Sequence, residues 1–245
     1  MAIIRGTNGP NELRGTNLAD QIWGLGGNDE IRALDGNDRV SGGTGHDEID
    51  GGAGNDRLRG GTGNDEIDGG AGADKIWGDD GNDEIDGGSG NDRISGGNGH
   101  DVIDGGSGSD RLRGGHGHDE IDGDSGNDRL WGDSGNDDLD GGSGNDRIDG
   151  GTGNDRIDGG SGNDFLRGGS GDDVFEFEPG DGTDTIRDFR HGQDRLDLDD
   201  FQLTYSQAIS AARQVGDDVR FALDGNTVVV EHTTLSAFTA DDFLL

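Results

Sequence analysis

GGTGNDEID at Gly60–Asp68, GGSGNDRIS at Gly87–Ser95 and GGTGNDRID at Gly150–Asp158 are three copies of one nine-residue phrase. The phrase runs outward from them in both directions without an insertion. Its large apolar position recurs at Ile4, Leu13, Ile22, Ile31, Val40, Ile49, Leu58, Ile67, Ile76 and Ile85, then at Ile94, Ile103, Leu112, Ile121, Leu130, Leu139, Ile148, Ile157, Leu166 and Phe175. From Ile22 onward an aspartate stands two residues earlier, the first being Asp20 and the last Asp173. A gapless register of this length marks a repeat architecture, in which each unit closes the core of its neighbours.

Each phrase divides into a turn and a strand. Three glycines in six residues would cost about 1 kcal/mol apiece in a helix. Glycine suits a turn that needs positive φ or a close approach of backbone. The three residues that follow make a minimal strand, with the apolar side chain inward and its neighbours outward. Two phrases then form one coil of eighteen residues, so that Ile67 stacks on Ile85 in one sheet and Ile76 on Ile94 in the other. At ~4.8 Å per coil, about ten coils make a rod about 48 Å long.

Composition sets the difficulty such a rod must overcome. Apolar residues are 26% of the chain, and 54 Asp and Glu face only 19 Lys and Arg, for a net charge of −35. Chains of this kind commonly stay disordered. One apolar side chain in nine is a thin core against the entropy of ordering the rest. The metal-free chain is therefore expected to be unfolded. Its charge repels nucleic acid and anionic membrane and attracts metal cations. With no cysteine, disulfides and thiolate metal sites are excluded. The first residues, MAIIRGTNGPNELRG, lack the basic and apolar regions of a Sec signal, and no apolar run approaches membrane-spanning length.

The turns carry the chemistry. Asp47, Asp65, Asp83 and Asp101 lie eighteen apart on one edge, and Asp56, Asp74, Asp92 and Asp110 on the other. The full candidate set is Asp29, Asp38, Asp47, Asp56, Asp65, Asp74, Asp83, Asp92, Asp101, Asp110, Asp119, Asp128, Asp137, Asp146, Asp155, Asp164 and Asp173. Unneutralised, such columns repel. Ca²⁺ takes about six to eight hard oxygens, and glycine-rich turns expose backbone carbonyls beside the carboxylates. About sixteen pairs of aspartates one coil apart would bring roughly +32 of charge, close to balancing the chain.

The phrase resembles GGxGxDxUx, where U is a large apolar residue, the nonapeptide of the repeats-in-toxin (RTX, hemolysin-type) family. The resemblance covers roughly the first three-quarters of the chain. It implies an all-β, right-handed parallel β-roll with roughly 12–17 Ca²⁺ held between successive GGxGxD turns, and folding induced by the metal. Gly60, Gly61, Gly63, Gly87, Gly88 and Gly90 are the corresponding turn glycines of two well-formed copies.

The ends depart from the pattern. Asn11 stands where Asp is expected, and Leu18-Ala19 replaces a Gly-x pair, so residues 1–17 are expected to form a starter coil with weak or absent calcium sites. The roll is expected over residues 1–178 and a cap over residues 179–245. In the irregular stretch after Phe175, Asp181, Asp184, Asp188 and Asp194 are candidate ligands for one or two further ions. Tyr205–Gln214 reads as a helix, and Val219–Leu223 with Thr227–Glu231 as a hairpin around Asp224-Gly225-Asn226. A cap is needed to cover the last coil. The final Asp241-Asp242-Phe243-Leu244-Leu245 resembles the uncleaved signal read by type I secretion machinery, which implies a secreted, extracellular or cell-surface bacterial protein that folds where Ca²⁺ is plentiful.

The outward residues sort by sheet. One sheet carries Glu48, Asp50, Glu66, Asp68, Glu84, Asp86, Glu120 and Asp122; the other carries Arg39, Arg57, Lys75, Arg93, Arg111 and Arg129. Trp23, Trp77 and Trp131 recur every 54 residues, as do Arg59, Arg113 and Arg167. Recent duplication explains that spacing. Arg57, Arg59, Arg111 and Arg113 with the three tryptophans also suit an anionic surface polysaccharide, through carboxylate pairing and an apolar platform. Pairing of basic and acidic faces between molecules is a further reading. His100 and His118 stack one coil apart and could hold a stray transition metal.

No catalytic constellation is present: no Cys nucleophile, no GxSxG and no HExxH. An enzyme is not expected. Two classes of role remain. One is a calcium-dependent binding module; the other is a structural, self-assembling or secretion module whose fold is its function. Met1 suits a complete short protein, and the C-terminal module of a larger secreted enzyme or adhesin stays open. Oligomeric state is not legible.

Overall fold

The computed structural model describes residues 1–245. Two parallel sheets face each other across a core of two apolar columns, one from each sheet. The first, of fourteen strands, begins at Ile3–Arg5 and continues with Gln21–Gly26, Arg39–Thr44, Arg57–Thr62 and so on to Phe165–Ser170. The second, of twelve strands, takes Glu12–Arg14, Glu30–Arg32, Glu48–Asp50 and so on to Val174–Glu176. The ladder register is one coil. Ile85 pairs with Ile67 and Ile103 in the second sheet, and Ile94 with Ile76 and Leu112 in the first. Every repeat apolar residue from Ile22 to Phe175 is buried, whereas Ile4 and Leu13 of the first coil are only half-buried.

The two sheets are not equivalent. Strands of the first are six residues long and take in the start of the turn, as in Arg57–Thr62, where Gly61 pairs with Gly43 and Thr62 with Thr44. Strands of the second stop at three residues, as in Glu66–Asp68. On the edge that follows the second sheet, a separate small sheet joins Ser107–Gly108, Ser125–Gly126, Ser143–Gly144 and Ser161–Gly162. The near-identical phrases hide this asymmetry, because it lies in backbone pairing and not in residue type.

The ladders run on past residue 178. Thr183–Ile186 adds to Phe165–Ser170 and Arg195–Asp197 to Val174–Glu176, both in parallel. Asn226–Val230 then extends the first sheet, and Phe243–Leu244 closes the second. The shift of composition near Phe175 thus marks wider spacing of strands along the chain, not the end of the solenoid. Antiparallel Asp218–Leu223 and Ala212–Val215 finish the first sheet. The hairpin between Leu223 and Asn226 turns on Asp224 (φ 42°) and Gly225 (φ 100°), both left-handed, as a two-residue turn requires.

The expected helix is shorter than its apolar pattern. Helix α1 spans Tyr205–Ala211 and starts with a reciprocal cap between Thr204 and Gln207. Residues 212–215 leave it because their backbone pairs with Asp218–Leu223 instead. A cluster of Phe177, Phe189, Phe221, Phe238 and Phe243 seals the last coil. His191 ties it together. Its Nδ1 lies 3.2 Å from Oδ2 of fully buried Asp242 and its Nε2 2.6 Å from Thr233 Oγ1. No helix is long and apolar enough to cross a membrane.

Candidate calcium columns and the cationic face

All seventeen repeat aspartates from Asp29 to Asp173 are buried, each 3% exposed or less. Each divides the work between its two oxygens. Oδ1 accepts the backbone N–H of the residue one coil earlier, Asn11 for Asp29 and an aspartate for the rest: Asp47 N donates to Asp65 at 2.8 Å, Asp65 N to Asp83 at 2.8 Å, and on the other edge Asp56 N to Asp74 at 2.6 Å. Oδ2 has no hydrogen-bond partner in any of them. Burying a carboxylate oxygen without a partner is costly. Here the same atom is left in every turn, in two rows of hard oxygen running the length of the rod. That donor set fits Ca²⁺, which prefers carboxylate and carbonyl oxygen.

The glycines explain how carbonyls reach the same place. A Cβ on Gly60 would stand 2.3 Å from Asp65 Oδ2. Gly61 and Gly63 have φ of 122°, and Cβ atoms there would meet the carbonyl oxygens of Gly43 and Gly45 at 2.1 and 1.8 Å. The other edge repeats the arrangement. A Cβ on Gly87 would meet Gly105 O at 2.7 Å, on Gly88 Gly70 O at 2.1 Å and on Gly90 Gly72 O at 1.4 Å. Successive turns are thus pressed together with only glycine between them.

Electrostatics agree with geometry. Burial, reinforced by the carboxylates above and below, pushes Asp56, Asp65, Asp92, Asp101, Asp146 and Asp155 up to about 7. Burial likewise lifts Asp110, Asp128 and Asp137 to about 6. Without a cation, ionising these buried columns is disfavoured.

Both ends of the columns can be located. Asp20 is satisfied on both oxygens by Ala2 and Thr16, and Asn11 turns its Oδ1 to Thr7, so the partnerless series begins at Asp29. Of the four later candidates, only Asp184 leaves a buried Oδ2 free. Asp181 accepts from Glu178 N, Asp188 from Gly168 N and Gly169 N, and Asp194 from Asp173 N and Arg190 N. Sequence spacing could not separate them, because the coil here is no longer eighteen residues long. Three carboxylates that spacing did not flag, Glu176, Glu178 and Asp200, also converge beside this last coil.

A second ladder was not anticipated. Along the edge that follows the first sheet, the residue before each aspartate accepts the N–H one coil later: Asn64 Oδ1 from Asn82, Asn82 Oδ1 from His100, His100 Nδ1 from His118 and His118 Nδ1 from Asn136. Histidine replaces asparagine by offering Nδ1. The neutral ring then carries its proton on Nε2. The His100 and His118 rings stack with centroids 5.0 Å apart, but their free nitrogens are N–H donors, which argues against the transition-metal reading.

The outer face of the first sheet aligns Arg39, Arg57, Lys75, Arg93, Arg111, Arg129 and Arg147 in register. Every ion pair made by an arginine or lysine side chain belongs to other residues, so none of these seven has a carboxylate partner. Arg59 and Arg113 differ from them. Arg59 pairs with Asp79 at 3.0 Å and Arg113 with Asp133, aspartates that occupy the second turn position at φ of 77° and 69°. Their charge is already used. Trp23, Trp77 and Trp131 are half-buried rather than fully exposed, and Arg59 lies 5.9 Å from the Trp77 ring centroid.

Parallel coils, paired glycine turns and columns of buried, half-satisfied aspartate define a calcium-binding β-solenoid. A family profile described as the RTX calcium-binding nonapeptide repeat, in four copies, matches residues 5–40, 14–49, 32–67, 50–85, 59–94, 77–112, 104–139, 113–148, 140–175 and 149–186. The chain belongs to that family. No curated protein matches it. Among solved structures it is similar to the extracellular lipase LipA of Serratia marcescens, at 20% identity and TM-score 0.37 over 98% of this chain and 40% of the lipase. The chain therefore spans well under half of that enzyme. It is also similar to the AlgE6R3 subunit of the mannuronan C5-epimerase of Azotobacter vinelandii, at 28% identity and TM-score 0.35 over 56% of this chain and 78% of that one. A hyperactive, Ca²⁺-dependent β-helical antifreeze protein from an Antarctic bacterium is 21% identical, with TM-score 0.45 over 78% of this chain and 84% of that one.

Proposed function

We propose that the chain is a secreted, non-catalytic module that leaves the cell unfolded by type I export, folds outside on binding a row of Ca²⁺ along each edge, and then holds anionic polysaccharide on its first-sheet face. The observation that carries the calcium part is the repeated buried Oδ2 without a partner, from Asp29 to Asp173 and again at Asp184. Ca²⁺ bound there supplies the positive charge the columns lack. The chain's own residues supply the rest: Oδ1 fixes each coil on the last, and glycine lets the turns close. A non-catalytic reading is supported by the commitment of these carboxylates to turn backbone. Export is supported by the acidic-apolar carboxyl end, and the polysaccharide role by the seven unpaired cations.

Far-ultraviolet circular dichroism tests the folding step. A Ca²⁺ titration started in chelator should show a cooperative rise of β signal that Mg²⁺ does not reproduce, because Mg²⁺ demands tighter octahedral geometry. A folded spectrum in excess chelator would overturn the calcium-coupled folding.

A further inference from the structure

The outward column beside the seven cations runs Trp23, Ser41, Arg59, Trp77, Ser95, Arg113, Trp131, each paired with the next across adjacent strands. Large, small, long, large: the serine leaves a trough between two tryptophan walls. Between Trp77 and Trp131 this is a depression of about 520 Å³ lined by Arg93, Ser95, Arg111 and Arg113. The same residue order, Trp23, Ser41, Arg59, Trp77, recurs one block earlier with Trp77 shared, and we take it as the second such trough. At ~4.8 Å per coil the two repeat every ~14 Å.

The arginines inside the column do not compete for the anion. Arg59 is clasped by Asp79 and Arg113 by Asp133. Asp79 and Asp133 hold φ near 70°, a left-handed conformation that costs a non-glycine residue, and there each clasps an arginine. Arg59 in turn lies over Trp77. These are positioning residues that set the tryptophan walls, and the free cations at Arg57, Lys75, Arg93 and Arg111 are left to meet the ligand. Asp79 and Asp133 sit four residues before Asp83 and Asp137, inside calcium turns. The clasp can form only when those turns are closed.

The ligand's charge spacing follows. Cations about 4.8 Å apart suit a chain with one carboxylate per sugar-sized unit, and they are too sparse for duplex nucleic acid with a charge every ~1.7 Å. A second copy's acidic face would match the cations but offers the tryptophans chiefly charged groups, carboxylates with Arg14, Arg32 and Arg156, and Val102 as an exposed apolar side chain. Indole faces suit the apolar faces of sugar rings. We propose that the two troughs are tandem subsites for one linear carboxylated polysaccharide, three coils to a subsite, assembled only in the calcium-folded rod. This deepens the polysaccharide reading above and rests on it.

Calorimetric titration of the full chain in excess Ca²⁺ with uronic-acid oligomers of increasing length tests it, with a neutral glucan as control. Affinity should rise in two steps, the second by about tenfold or more when one oligomer spans both troughs. Trp77→Ala should remove the second step. Arg93→Gln should weaken binding, Arg93→Glu should abolish it, and Glu66→Gln on the opposite face should change nothing, with circular dichroism showing all four folded in Ca²⁺. A smooth length dependence indifferent to Trp77→Ala overturns the tandem subsites and leaves polysaccharide binding standing. Failure of the folded rod to bind even long polymer at low salt overturns both. Salt-sensitive self-association that Arg93→Glu abolishes, without polymer binding, overturns both in favour of a second copy as occupant.

Discussion

Replacing Asp101 by asparagine should change stability in opposite directions with and without calcium. Asp101 is 1% exposed, its Oδ1 accepts Asp83 N at 2.9 Å, its own N–H donates to Asp119 Oδ1 at 3.0 Å, and its Oδ2 has no partner. Asparagine keeps the Oδ1 acceptor, so the ladder survives. It puts an NH₂ where Oδ2 faced the cation, spoiling the sites shared with Asp83 below and Asp119 above. At Ca²⁺ about a hundredfold above Kd, each lost site removes about 2.7 kcal/mol, so the loaded rod should lose about 5 kcal/mol. Without metal the sign reverses. Burial pushes Asp101 up to about 7, above its unfolded value, so its contribution to the fold is favourable in acid and is lost as pH rises through 7. At pH 8 asparagine should relieve up to about 4 kcal/mol of that cost. Urea unfolding in saturating Ca²⁺ reads the first effect, and calorimetry should count two fewer ions. The second is read in chelator, as a lower concentration of stabilising osmolyte needed to fold the chain. Equal destabilisation in both conditions with unchanged stoichiometry would refute the reasoning and reduce Asp101 to an ordinary turn residue.

Acidification should likewise act in opposite senses. In chelator, β signal should grow as pH falls from 8 towards 5, because columns pushed up to about 6 or 7 take protons in the fold before they do in the unfolded chain; in Ca²⁺ the same change should weaken metal binding by proton competition, and a chelated chain with no acid response would contradict this. Gly90→Ala should cost the loaded rod about 3 kcal/mol or more, since its Cβ would lie 1.4 Å from Gly72 O, while Gly180→Ala, also left-handed but with nothing within 4 Å, should cost about 1 kcal/mol. Urea midpoints of the two variants separate crowding from backbone conformation. Phe243→Ala should cost about 3–5 kcal/mol by opening the cap, where its ring lies 5.7 Å from Phe238 and 5.9 Å from Phe221, and hydrogen exchange should show the loss concentrated in the last coil.

How far the structure could be read ahead depends on what repeats. Glycine, aspartate and one apolar residue in a fixed nine-residue phrase dictate turn, strand and pairing partner, so the coil, its register and the aspartate columns were all legible. The division of labour within each carboxylate was not, because spacing says nothing of which oxygen a backbone N–H will take. Arg59 was read as a free cation, yet Asp79, twenty residues on, claims it. That pairing follows only from a non-glycine residue, Asp79, at a left-handed turn position, a signal that nine-residue spacing alone does not single out. Beyond Phe175 the period itself fails. There Thr183–Ile186, Arg195–Asp197, Asn226–Val230 and Phe243–Leu244 still take successive places in the two sheets, but long and unequal connections hide the register.

The proposed dependence of the rod on metal makes its carboxyl end a reporter of folding. In the folded state Asp242 is fully buried against His191 and Gly192 N, and Phe243–Leu244 is the closing strand of the second sheet. That strand has nothing to pair with until Arg195–Asp197 is in place, and Arg195–Asp197 in turn pairs with Val174–Glu176 at the top of the calcium columns. In a solenoid each coil is stabilised chiefly by its neighbours. On the proposed calcium-coupled folding, a chain without calcium leaves its last residues accessible, and a chain with calcium withdraws them into the cap. Recognition of an exposed carboxyl end and burial of that end after folding would then be two readings of one equilibrium, set by whether Asp29 to Asp184 hold protons, repel one another or share Ca²⁺.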